Sequence, residues 1–532
     1  MTTLTGTGAL AKLALRRDRI MLVIWIYAFA ALAGASAYGF KKLYPTAAGR
    51  EQFVAVSNHN AALLSIYGPF YGSSLGSFTA WRDTVLGALF AGIMSTFLVV
   101  RHSRADEESG RLELVGSAVV GRHAALASSM LVAGLANVVV FAVLAAVPIA
   151  FGLPAAGSIA FGAGVACCGL VFTAVAAVTA QLAQTARQAR GLAIGVVLIA
   201  FLLRAVGDSV SASGPRWLRW LSPIGWAQLI RAFGATRWWV LALPLATTVL
   251  LGTLAARLAV SRDYDSGLLA TRAGRPAARA SLRSPLALAW RLQRATVIAW
   301  VLGALVYGVG VGSAAKGISG LLGSPQVRKV VARMGGQAGL TNAYLAALIS
   351  LTALAVAGFA IASVLRLRTE ETEQRADPLL ATGVSRLGWA LSHLLIAAAG
   401  TVVILAVAGI GIGLGYGGRS GSLGAEVARM AGAGLAQAPA VLAVAALAAA
   451  LFGLVPRFSA AVSWSVLGVA VLILFFGEVL QLSHWVLDIS PFTHSPKLPG
   501  GVVSAAPLAW LCAIALALAV AGLTGLRQRD IG

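Results

Sequence analysis

Apolar stretches of 17 residues or more recur from end to end of this 532-residue chain, and only 11% of its residues are charged against 59% hydrophobic. A stretch of that length, wound as a helix, crosses the hydrocarbon core of a bilayer. The pattern therefore predicts an all-α polytopic membrane protein. Twelve spans are expected, near 20–40, 84–100, 124–149, 158–183, 191–206, 238–260, 295–315, 342–365, 387–417, 427–454, 459–480 and 502–526. Six fall in each half, which places both termini on one side of the membrane, and no hydrophilic stretch is long enough for a separate soluble domain. Arg16-Arg17 before the first span and Ala35-Ser36-Ala37 near its end mimic a cleaved secretion signal. Its counterpart at 295–315 lies in mid-chain, so the first span reads as a permanent helix.

The chain also repeats itself. Arg16-Arg17-Asp18-Arg19 before Trp25 returns as Arg291-Leu292-Gln293-Arg294 before Trp300, at an offset of 275. Arg104 to Glu113 returns as Arg368 to Asp377, at 264, and Ser222-Pro223 with Arg262-Asp263 returns as Ser490-Pro491 with Arg529-Asp530, at 268 and 267. Three landmarks in one order define two copies of a unit of roughly 265 residues, far above a solenoid period. The expected organisation is a first six-helix half over 1–270, a linker over 271–283 and a second half over 284–532. Tandem membrane halves are the usual build of a transporter.

The net charge of +23 is scattered over short loops, so it reads as membrane-flanking charge and not as a nucleic-acid surface. Cys167, Cys168 and Cys512 sit in apolar spans and imply neither a disulfide framework nor a metal site. With the N-terminus in the cytoplasm, basic residues favour the cytoplasmic segments modestly. Acidic residues concentrate there too, in the two copies of the repeated charged loop.

Catalytic equipment is lacking. There is no Gly-rich loop ending in Gly-Lys-Ser or Gly-Lys-Thr to cradle nucleotide phosphates. His59, His102, His123, His393, His484 and His494 have no metal-ligand spacing, and Ser73 and Ser74 lack a nucleophile-elbow pattern. Ion-coupled transporters place ionisable groups inside the membrane. Here Arg204 and Glu478 fall at predicted helix ends and Glu426 at an external boundary, while the spans hold neutral polar residues such as Asn137, Thr173 and Thr179. That leaves a separate ATPase subunit as the source of energy. Its dock should be cytoplasmic, charged and present once per half, conditions met by segments 101–123 and 366–386. The candidate coupling residues are Asp106, Glu107, Glu108, Arg111 and Glu113, with Glu370, Glu371, Arg375 and Asp377 in the second copy. In a helix Glu107 and Arg111 would face each other at a spacing of four. The competing reading, a solvated loop, does not account for the recurrence.

These residues resemble permeases of ATP-binding-cassette exporters of the type-2 class, particularly the fused twelve-span actinobacterial drug and polyketide-antibiotic exporters. The resemblance rests on Glu107 to Leu114, the weaker Glu370 to Asp377, Ser490 to Pro499 and Arg529-Asp530-Ile531-Gly532, and spans nearly the whole chain. It implies two pseudo-twofold six-helix units in the bacterial cytoplasmic membrane, each opened by an amphipathic connecting helix, here about 8–19 and 284–294. It further implies a coupling helix between the second and third spans, and an external re-entrant element at 207–237 and 481–501. Two copies of a cytoplasmic ATPase would hold the ATP and Mg, with no cofactor on this chain, and a small hydrophobic or amphipathic substrate, a drug, antibiotic or lipid, would leave through a cavity between the halves. Gln374, Ala376 and Pro378 replace Gly110, Leu112 and Leu114, so the two docks are unequal.

Phe475 and Phe476, in the fifth span of the second half, and Phe201 in that of the first are candidate substrate contacts, against a competing reading of packing or lipid contact. Tyr67, Phe70, Tyr71, Phe78 and Trp81 read as a membrane-interface belt. The external segments 41–81 and 316–341 are long for the family, and the arginines of the linker suit an anionic leaflet. Two other classes stay open: an ion-coupled secondary drug transporter, and a membrane module that senses or anchors a partner without transport.

Overall fold

The computed structural model describes residues 3–58, 61–116, 119–209, 216–262, 266–269, 277, 282–315, 336–476, 483–502 and 504–529. All regular structure among them is helical. Eleven helical segments among them are long and apolar enough to cross a membrane. At the span expected at 459–480 stands a further helix of 21 residues, Pro456–Phe476, and residues 477–480 lie outside the described residues. Contacts divide the chain into two units, Met1–Gly274 and Arg275–Gly532.

Unit 1 opens with α1 (Thr7–Leu43), followed by α2 (Ala47–Ser57), α3 (Ala61–Tyr67) and α4 (Leu75–Arg101). Two short helices, α5 (Arg104–Glu108) and α6 (Arg111–Gly116), lead to α7 (Ala124–Ala150), α8 (Ala155–Leu182) and α9 (Ala186–Ser209). A 3₁₀ segment, Arg216–Leu221, precedes α10 (Pro223–Leu229), a second, Trp238–Leu241, follows it, and α11 (Ala242–Val260) closes the unit. Most of α4 and α8 is buried and little of α1 or α11, so the first pair forms the centre and the second the rim. Asn137 marks that centre: buried on α7, its amide donates to Ser95 Oγ of α4 at 2.9 Å.

At 37 residues α1 is about 55 Å long, well beyond a hydrocarbon core of about 30 Å. The separate connecting helix expected at 8–19 is not formed. Those residues are the first turns of α1 and stay helical because their inner face, Ala11, Ala14 and Asp18, is buried within the unit. The N-terminus of α1 lies beside the turn before α7, where Gly121 N donates to Thr5 O and His123 N to Thr3 O. We call this the basal end of the unit; α2, α3 and α10 form the cap end.

Three expectations change at the cap end. Phe70, Phe78 and Trp81 are not an interface belt: they are buried, with Phe70 on Phe78 and Trp81 at centroid distances of 4.9 and 4.3 Å and with Phe53 and Phe40 against them at 5.3–6.0 Å. Aromatic rings with this many aromatic neighbours gain more from one another than from a water-lipid boundary. The spans are also not free of ionisable groups, because Asp83 lies inside α4, fully buried, accepting from Ser36 Oγ of α1 at 2.7 Å. Arg204 likewise belongs inside the unit. It is fully buried on α9, and its guanidinium donates to the carbonyls of Leu64, Ser65 and Ile66 at 2.8–3.5 Å. Gln228 of α10 takes Tyr67 O and Trp81 takes Gly68 O, so the end of α3 is held by side chains from three elements.

Unit 2 holds α12 (Pro285–Ala315), α13 (Gly336–Thr372), α14 (Ala376–Leu380), α15 (Arg386–Ser420), α16 (Leu423–Leu435), α17 (Ala438–Leu454), α18 (Pro456–Phe476), α19 (His484–Leu487) and α20 (Ala505–Gln528). The connecting helix expected at 284–294 is again the start of a longer helix, α12. Its packing on α15 depends on missing side chains: a Cβ on Gly312 would lie 2.2 Å from Ile412 O, and one on Gly415 2.3 Å from Val309 O. Close backbone approach of this kind gives dispersion contact between helices where lipid supplies no hydrophobic drive.

Candidate functional site

The charged loop of unit 1 is a broken helix. Ser109 ends α5, Gly110 adopts a left-handed φ of +71°, and α6 restarts at Arg111. The break turns Arg111 away from Glu107 and toward Asp106, whose Oδ1 lies 3.4 Å from Arg111 Nη1, so the expected pair at a spacing of four is not made. Glu107 is instead buried and receives Arg262, from just beyond α11, through both Nη1 and Nη2 at 2.6 and 2.7 Å. Arg104, fully buried one turn earlier, lies 3.0 Å from Glu107 and donates to Gln184 O and Ser266 O. Glu108 accepts from Ala186 N at 2.9 Å, placing a carboxylate on the N-terminus of α9. Asp106 accepts from Arg17 of α1 at 3.0 and 3.1 Å. One short segment thus ties the first, fifth and sixth spans of the unit together.

In unit 2 the copy is built differently. The helix α13 runs through Thr372 without the break seen at residue 102, and the turn comes at Gln374, whose φ of +55° reproduces that of Gly110. Arg529, just beyond α20, donates to both oxygens of Glu371 at 2.7 and 2.6 Å. This is the Glu107–Arg262 clamp again, at offsets of 264 and 267. Arg366 pairs with Glu370 at 3.2 Å, while Arg375 contacts Glu373 and, at 3.9 Å, Glu370. Two ties are missing: Thr372 stands where unit 1 has Glu108, and Leu292 where it has Arg17. Thr372 is exposed, and its hydroxyl donates only within its own helix.

The nine sequence-derived coupling residues therefore separate into two sets. Glu107, Asp106 and Glu370 are buried and Glu371 is half-buried, all engaged by arginines of their own unit. Glu108, Arg111, Glu113, Arg375 and Asp377 are exposed. Phe201 packs on the buried cluster of α4, α8 and α10, with the Arg204 guanidinium 5.0 Å from its ring, which is the packing role. The side chains of Phe475 and Phe476 lie outside the described residues. No group of three His, Cys, Asp or Glu able to hold a metal occurs among the described residues. The residues missed were the clamp arginines themselves, although Arg262 and Arg529 stood in the repeat as landmarks.

A duplicated all-α unit with a charged loop fastened to the end of its last span defines a polytopic membrane protein of two repeated halves. The family model of the multidrug efflux system permease Rv1217c, C-terminal domain, matches residues 282–527. The multidrug efflux system permease protein Rv1217c of Mycobacterium tuberculosis (strain ATCC 25618 / H37Rv) is 40% identical over 529 residues, covering 99% of this chain and 95% of that protein. The chain belongs to this family of multidrug efflux permeases.

Proposed function

We propose that the chain is the membrane-spanning subunit of an ATP-driven exporter. It moves hydrophobic or amphipathic compounds out of a bacterial cell with energy from two separate ATPase subunits docked on the basal loops. In this reading the basal ends and both termini face the cytoplasm, and ATP and Mg reside in the partners. The name of the Mycobacterium tuberculosis relative supports efflux as the direction and drugs as the substrate class.

The observation that carries the reading is the paired clamp. A docking loop has to pass force to the spans, and a bidentate Arg–carboxylate bond resists both translation and rotation. Glu107–Arg262 and Glu371–Arg529 do this in both units, leaving Arg111, Glu113, Arg375 and Asp377 exposed. Reversing the exposed charges, with Glu113→Arg and Asp377→Arg together, tests the dock: co-purification of the ATPase subunit should fall while the chain keeps its elution profile. Undiminished co-purification and drug-stimulated ATPase activity would overturn the assignment.

A further inference from the structure

A cavity of about 560 Å³ opens at the basal end of unit 1 between α1, the α5–α6 turns and α7. Leu10 and Leu13 line one part of it, Arg17, Arg101 and Arg111 another, and Ser128 of α7 lies across from them. We propose that it binds an anionic phospholipid, with the phosphate among the three arginines and the upper acyl chain along the leucines.

The arginines have donors to spare. Arg17 gives Asp106 only its Nη1, Arg101 lies with its Nε 3.2 Å from Asp18 and gives Met21 Sδ its Nη1 at 4.0 Å, and Arg111 gives Asp106 its Nη1 at a long 3.4 Å. Each guanidinium carries five N–H groups in a planar fork that matches a phosphate, so donors remain on every one, on Arg101 those of Nη2. Their side chains are 29, 43 and 61% exposed. The two nearby carboxylates do not compete for this face, because Asp18 is sealed at 0% and Asp106 is shared among Arg17, Arg111 and His102. Three arginines against two carboxylates leave the site positive.

The position also suits a lipid. Arg17 comes just before the apolar stretch that begins at Ile20, and Arg101 ends α4, so both lie where a span leaves the hydrocarbon for the headgroup layer. Basic pockets at that level take acidic headgroups. Unit 2 has lost the array: Leu292 and Leu365 occupy the positions of Arg17 and Arg101. A lipid here would bridge α1 to Arg111 of the charged loop and stiffen that loop in one unit alone.

The test uses the purified full-length chain in detergent with a phosphatidylglycerol carrying a photoactivatable acyl chain, and maps labelled peptides by mass spectrometry. Label is expected in residues 8–17 and 111–128, displaced by phosphatidylglycerol and not by phosphatidylcholine or inorganic phosphate. The double variant Arg17→Leu, Arg101→Leu should lower labelling of these peptides on the order of tenfold, as loss of charge-assisted phosphate contacts implies, without changing labelling elsewhere. Leu13→Trp fills the cavity, keeps every arginine and alters a half-exposed position, so it reads the site even if the arginine variant fails to fold. Even labelling of all lipid-facing helices, labelling unchanged by Leu13→Trp, or displacement of the lipid by inorganic phosphate would each overturn the proposal.

Discussion

Arg262 holds Glu107 with two hydrogen bonds, at 2.6 and 2.7 Å, across 155 residues of sequence. Both side chains are largely shielded, at 13 and 3% exposure. Removing either partner breaks both charge-assisted bonds, a loss of about 1.5–3 kcal/mol, while Glu107 keeps Arg104 at 3.0 Å and Arg262 keeps Gln181. Glu107→Ala and Arg262→Ala should each lower the thermal stability of the purified chain markedly, and the double variant should lose less than the sum of the two. Strict additivity would show that the clamp is not a coupled pair.

Gln374 occupies a left-handed conformation that its counterpart, Gly110, adopts without strain. A side chain in that region costs about 1 kcal/mol. Gln374→Gly is therefore expected to raise stability, by somewhat less than that because glycine also loosens the unfolded chain. Gly110→Gln should lower it, and both are read from thermal unfolding. A fall in stability for Gln374→Gly would refute the strain.

Arg204 satisfies three carbonyls of the α3 region from a fully buried position, and unit 2 has Leu474 at the equivalent place, set by Arg187 with Arg457 and Gly207 with Gly477. Arg204→Leu removes the donors and leaves the buried Asp208 with Arg219 at 3.8 Å as its remaining ion pair. The cap end should then open, seen as faster proteinase K cleavage within residues 44–74. Arg204→Lys, which keeps the charge but not the fork, should fall between. Cleavage unchanged in Arg204→Leu would show that the cap is held by its aromatic packing alone.

Gly312 and Gly415 interlock α12 with α15, where any Cβ would meet backbone atoms. Gly312→Ala should destabilise unit 2 by about 1–3 kcal/mol, as overpacking does when the opposing atoms cannot rotate away. Gly310→Ala is the control, since nothing lies within 4 Å of the position its Cβ would take. Equal stability of the two variants would refute the close approach.

Glu108 binds the first amide of α9, and Thr372 in unit 2 does no equivalent work. Glu108→Ala removes this acceptor at a cost of about 1 kcal/mol and loosens the charged loop from the fifth span of unit 1, where Arg104 still donates to Gln184 O. Under the proposed ATP-driven export, the expected signature is a fall in transport per ATP hydrolysed with little change in melting temperature. Thr372→Ala should change neither, and equal transport in both variants would remove the link from the mechanism.

Long apolar runs determined the helices, because a backbone in lipid has to satisfy its own hydrogen bonds. The repeated landmarks located the two charged loops, and hydropathy bounded the spans to within several residues. The interlock of α12 and α15 came from the packed structure, although Gly308-x-x-x-Gly312 and Gly411-x-x-x-Gly415 carry its spacing. Periodicity says which residues leave the lipid and not which partner each one takes. Glu107 looked like half of a helical pair with Arg111 until the left-handed Gly110 bent the chain and brought Arg262 to it. The span expected at 84–100 stops one residue short of Asp83, because hydropathy ends a span at a charge, whereas α4 continues past it with Ser36 bonded to its carboxylate. The aromatic segment before α4 looked like an interface belt because composition does not distinguish rings facing lipid from rings facing one another. In each case the deciding contact joins residues far apart in the chain, which only the packed structure brings together.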